Sequence, residues 1–85
     1  MDSLTKLFFD YLKKRDCSVS DEGDHVSFEN DYLKGKVTLK KPFTVSWRCK
    51  RGYALFDVPV SPGNASASFK DVGATLSFIK RCLLR

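Results

Sequence analysis

Between Lys34 and Arg51 the chain places seven cations, at positions 34, 36, 40, 41, 48, 50 and 51, and no acid. Most of them alternate with apolar residues: Lys34, Lys36, Thr38 and Lys40 oppose Val37 and Leu39, and Thr44, Ser46, Arg48 and Lys50 oppose Phe43, Val45, Trp47 and Cys49. A strand turns successive side chains to opposite faces, so this spacing predicts two half-buried strands joined at Lys41-Pro42, basic on one face and apolar on the other. Aligned ammonium and guanidinium groups neutralise phosphates and release their counterions, and hydroxyls among them add hydrogen bonds to phosphate oxygens. The chemistry that follows is nucleic-acid binding. Lys34, Lys36, Lys40, Arg48 and Lys50 are its phosphate contacts, with Lys41, Arg51 and Tyr53 at the rim. Five such contacts predict a log-log salt slope of about −4 on duplex DNA.

The same alternation serves a solvated sheet face, where Lys and Thr keep strands soluble. Charge segregation favours the binding reading: residues 16 to 31 sum to −6 and residues 34 to 51 to +7, within a net charge of +5 and a pI near 9.3. Adjacent blocks of opposite sign also make a dipole suited to an oriented protein partner. The alternative function is therefore a protein-interaction domain, a small adaptor or inhibitor of viral or mobile-element type, docking through its charged surface or an edge strand. An open sheet edge also allows a homodimer.

Catalytic and metal chemistry find less support. The lone His25 lies among Asp21, Glu22, Asp24 and Glu29, and a carboxylate could orient it as in a triad. No serine in a strained strand-to-helix turn and no Cys-His adjacency accompanies it, and the sequence reads as non-enzymatic. Asp21, Glu22 and Asp24 lack the twelve-residue ligand spacing of a calcium loop. Cys17, Cys49 and Cys82 have no CxxC spacing, so neither a metal nor another cofactor is expected, and buried thiols in a reducing compartment are.

These groups need a scaffold, and 85 residues with 42% apolar content suffice for one small domain. Leu4, Leu7, Phe8, Tyr11 and Leu12 share one face of a helix over residues 4 to 15, which Asp2 or Ser3 can cap. His25 to Glu29 reads as a strand with Val26 and Phe28 inward, and Cys17 to Ser20 as an edge strand. Ser20 to Asp24 is turn-like. Tyr53 to Val60 continues the apolar alternation, and Ser61 to Ser68 reads as a loop. Ser68 and Asp71 then resemble a capping box before a helix carrying Phe69, Val72, Leu76, Ile79 and Leu83. Gly73, beside that stripe, suggests close packing on the sheet.

The expected fold is α+β: a two-layer sandwich over residues 1 to 85, with a three- or four-stranded antiparallel meander and both terminal helices on one face. Trp47 falls on the core side. The order α-β-β-β-α resembles the topology of double-stranded RNA-binding domains, although the second helix, opening Ser68-Phe69-Lys70-Asp71, lacks the lysine-rich start with which that family contacts phosphates. No membrane span is evident, and Met1-Asp2-Ser3 followed by Lys6 and Asp10 is unlike a signal peptide, so a cytoplasmic protein is expected.

Overall fold

A computed structural model of the chain describes residues 2 to 49 and 64 to 84. The Asp2 carboxylate accepts a hydrogen bond from the Thr5 backbone N–H at 2.8 Å, which fixes the start of helix α1, Ser3–Lys13. Asp16, at φ 60°, turns the chain away from that helix. Five strands follow: β1 Ser18–Asp21, β2 His25–Glu29, β3 Leu33–Thr38, β4 Phe43–Cys49 and β5 Asn64–Phe69. Helix α2, Val72–Phe78, widens into a π-helical turn over Ile79–Leu83.

The strands form one antiparallel sheet in sequence order, each joined to the next. Local chemistry makes the first two turns. Gly23, at φ 91°, takes the left-handed position between β1 and β2, and the Asp21 side chain accepts its N–H at 2.9 Å. Asn30 accepts from the N–H groups of Tyr32 and Leu33 at 2.7 and 2.9 Å, an Asx turn that starts β3.

The predicted parity holds. Val26, Phe28, Leu33, Val37, Phe43, Val45 and Trp47 are buried, together with Phe8 and Leu12 of α1 and Ile79, Leu83 and Leu84 at the C-terminal end. Phe8 meets Phe43 at 6.1 Å between ring centroids, and Phe78 meets Trp47 at 5.4 Å and Phe69 at 5.0 Å. Both helices therefore lie on one side of the sheet, α1 over β1 and β2 and α2 over β4 and β5. The Tyr11 hydroxyl donates to the Leu76 carbonyl oxygen at 3.2 Å and ties the helices together.

Several expectations need correction. Residues 64 to 68 are not loop; they belong to β5, paired with β4 from Phe43↔Phe69 to Arg48↔Asn64. The signal was a period-two alternation of Asn64, Ser66 and Ser68 with Ala65, Ala67 and Phe69, hidden because alanine and serine have low strand propensity. The sheet thus has five strands, which departs from the three-stranded order of double-stranded RNA-binding domains. The expected strand at Tyr53 to Val60 lies outside the described residues.

Ser68 does not cap α2, because its hydroxyl is bound to Thr44 at 2.9 Å; Asp71 caps instead, accepting from the Ala74 N–H at 2.7 Å. The inward face of α1 is rotated from the expected stripe: Leu7 is 44% exposed while Thr5 is 4% exposed. Gly73 does not pack on the sheet, since a Cβ there would meet only Asp71 Oδ1, at 3.4 Å. The glycine that does enable close packing is Gly35, where a Cβ would sit 2.6 Å from the Ser46 carbonyl oxygen and 2.8 Å from Phe28 Cζ.

Candidate anion-binding face

The helices pack on one face of the sheet, and among the described residues nothing covers the opposite face, where strand pairing arranges the side chains in rows. One row runs Ser18, Glu29, Lys34, Arg48 across β1 to β4. The next runs Ser20, Ser27, Lys36, Ser46, Ser66 across all five strands. A third contains His25 opposite Thr38 and Thr44 opposite Ser68. Lys34, Lys36 and Arg48 border one open trough of about 510 Å³ with Ser27, Ser46 and Ser66, floored by the backbone at Gly35 and Trp47. Lys34 also borders a smaller hollow of about 160 Å³, between β1 and β3, with Ser18, Ser20 and Glu29.

The rows differ in how far their polar groups are already satisfied. In the third row Thr38 Oγ1 accepts the Thr44 N–H at 2.8 Å, and the Thr44 and Ser68 hydroxyls share a hydrogen bond at 2.9 Å. His25 Nδ1 lies 2.6 Å from Asp24 Oδ1. That hydrogen bond holds the Asp24 carboxyl below the ordinary 3.8; the charges of His25 and, more weakly, Lys36 act in the same direction. Around the trough, by contrast, the hydroxyls of Ser27, Ser46 and Ser66 make no hydrogen bond within the described residues, and Lys34, Lys36 and Arg48 form no ion pair there. Three cations and three hydroxyls converge here with no hydrogen-bond or ion-pair partner among the described residues.

The remaining predicted contacts are not gathered there. Lys40 and Lys41 are exposed in the connection between β3 and β4, beyond the Thr38 row. That end of the sheet also carries the acidic β1–β2 turn, since Leu39 N–H donates to the Asp24 carbonyl oxygen at 3.2 Å. Lys40 and Lys41 thus share their end of the sheet with that turn, whereas Lys34 and Arg48 lie two rows away and Lys36 stands between, near enough for its charge to act on the Asp24 carboxyl. Lys50, Arg51 and Tyr53 lie outside the described residues. Ser66 is the trough residue that sequence pattern alone does not reveal, because the small-residue stretch from Ser61 to Ser68 reads as a loop.

His25 begins β2, an interior strand, and its ring is held by Asp24. Cys17, Cys49 and Cys82 are thiols, and burial raises the pKa of Cys17 and of Cys49, Cys17 with a further contribution from Asp16. No cluster of three His, Cys, Asp or Glu side chains able to hold a metal ion occurs among the described residues. Nor is any helix among them long and apolar enough to cross a membrane. Comparison with known protein families, curated proteins and solved structures gave no match to this chain.

Proposed function

We propose that the chain is a small nucleic-acid-binding module that receives the sugar-phosphate backbone on its uncovered sheet face. The observation that carries this reading is the pairing of Lys34 directly opposite Arg48, with Lys36 one row away, around a trough whose hydroxyls have no partner among the described residues. Like charges placed opposite each other across two strands destabilise a sheet. An anion between them reverses the sign of that interaction, and backbone phosphates supply both the charge and the acceptor oxygens.

Lys34, Lys36 and Arg48 act as point and fork donors to phosphate oxygens, while Ser27, Ser46 and Ser66 contribute neutral hydrogen bonds. Such contacts position a strand without reading base identity. Three phosphate contacts give a log-log salt slope of about −2 to −3, shallower on single strands than on duplex.

The test is fluorescence anisotropy of labelled DNA and RNA titrated with the full chain at two salt concentrations. Affinity that falls with salt and is lost in Lys34→Glu/Arg48→Glu, but largely kept in Lys40→Glu/Lys41→Glu, supports the reading. Binding weaker than millimolar to every nucleic acid at low salt overturns it. Competition by polyglutamate as effective as that by nucleic acid would assign the face to an acidic protein segment instead.

A further inference from the structure

We infer that His25 is a proton-dependent contact on the same face: the nucleic-acid backbone binds more tightly when the imidazole is protonated, and binding draws a proton from solvent onto the ring. This rests on the nucleic-acid reading above and extends its site to a further residue. The rows of the face step along the strands by two residues, about 6.8 Å. Lys34 with Arg48 makes the first step, Lys36 the second, and His25, opposite Thr38, the third. Val26 and Phe28 are buried, so His25 and Ser27 share the outward side of β2, and Ser27 borders the trough. A backbone that leaves the trough past Lys36 comes next to the imidazole.

One proton decides the charge of that third row. His25 Nδ1 lies 2.6 Å from Asp24 Oδ1, so the neutral ring donates to the carboxylate through Nδ1 and keeps Nε2 as an acceptor. In that state the Asp24 charge repels phosphate. Lys36, a diagonal neighbour of His25 at about 7 to 8 Å, acts on the same carboxylate, which cancels part of its field. A proton on Nε2 makes the ring a cation with two donors. His25 then balances Asp24, the Lys36 field is restored, and Nε2–H offers a hydrogen bond to a phosphate oxygen.

Among the described residues, the other charged groups beside the ring come from β1 with its turn and from β3. The Asp21 carboxylate accepts the Gly23 N–H at 2.9 Å and Glu22 accepts the Ser20 hydroxyl at 2.7 Å, so both are held within the turn. Next to Thr38, β3 contributes Lys36, and Lys40 and Lys41 stand in the connection that follows. His25 is the chain's single histidine, and imidazole is the side chain whose ordinary titration falls between pH 5 and 8. Burial moves the Cys17 and Cys49 thiols further above that window.

The experiment titrates a rhodamine-labelled oligothymidylate with the full chain, followed by anisotropy at constant low salt between about pH 7.5 and pH 5.5. Hydroxyls at both ends of the strand avoid the phosphomonoester, which itself titrates near pH 6. Affinity is expected to rise about threefold or more as the pH falls, the scale of one unit charge about 7 Å from a phosphate in water. In His25→Gln that rise should be lost; a rise of the same size in this variant assigns the proton to another group and overturns the inference. Calorimetry of the unaltered chain at about pH 6.5, in buffers of different ionisation enthalpy, reads the proton itself. Net uptake on binding is expected from the reciprocity of linked equilibria, and no uptake overturns the inference whatever the variant does. Measurable affinity that stays flat with pH also overturns it and leaves the backbone reading standing. Failure of the strand to bind at every pH overturns both.

Discussion

Lys34 on β3 and Arg48 on β4 are register partners on the uncovered face, two cations set against each other with no ion pair to either among the described residues. A sheet selected for stability alone would put an acid at one of these positions. Stability and binding should therefore move in opposite directions when the pair is changed.

Arg48→Glu turns the cross-strand repulsion into attraction and should stabilise the fold by about 0.2 to 1 kcal/mol in urea denaturation. In the same variant, nucleic-acid affinity should drop at least about tenfold by anisotropy, because a phosphate contact becomes a repulsion. A loss of stability together with binding would mean that Arg48 supports the sheet rather than a ligand.

Two glycines separate packing from propensity. Gly35→Ala should cost about 1 to 3 kcal/mol, since the new methyl group meets a backbone carbonyl and the Phe28 ring. Gly73→Ala, on an exposed position of α2 with ordinary space for a Cβ, should instead gain about 0.4 to 1 kcal/mol. Chemical denaturation of both variants checks the pair.

Among the described residues, the helices are joined by the Tyr11–Leu76 hydrogen bond and by a shared apolar layer. Tyr11→Phe removes the bond to the Leu76 carbonyl and should cost about 0.5 to 1.5 kcal/mol. Ile79→Ala, at a fully buried position, should cost about 2 to 5 kcal/mol. An effect of Tyr11→Phe as large as that of Ile79→Ala would show that the hydroxyl does more than join two elements.

Acid should weaken the fold through two carboxylates. Asp2 is held below 3.8 mainly by its bond to the Thr5 N–H, and Asp24 mainly by its bond to His25. A depressed native pKa means that the unfolded chain binds the proton more readily, so both contributions are complete above the unfolded value and vanish as pH falls through the native ones. Thermal melts between neutral pH and pH 2.5 should show stability declining below roughly pH 4.5. Asp2→Asn, which keeps the cap without the charge, should flatten part of that decline.

The alternation of Phe43, Val45, Trp47 and Cys49 with Thr44, Ser46 and Arg48 was legible because strand geometry has period two and each face of this sheet meets a different medium. Helix α1 was legible for the matching reason at period 3.6, though Thr5 and Leu7 exchanged places: Thr5 lies on the line of Phe8 and Leu12, and the five-residue apolar stripe is broader than the sheet can cover. Strand β5 was hidden because Ala65 and Ala67 supply little hydrophobic signal. Its pairing depends on backbone hydrogen bonds offered by β4, a distant part of the chain. The cation site was legible in its residue types and not in its extent. Sequence gives parity along a strand, but only register says that Lys34 faces Arg48, or that Ser66 joins Ser46.

Trp47 is the chain's single tryptophan. It is 5% exposed, lies against Phe78, and its indole N–H finds no acceptor among the described residues. Its side chain lies on the core side of β4, between the outward positions Ser46 and Arg48. The molecule therefore carries a built-in optical reporter one backbone thickness behind the trough. Its emission should sit toward the blue in the native state, and a ligand that pulls on β4 from the far side would register in that emission without any dye attached to the protein.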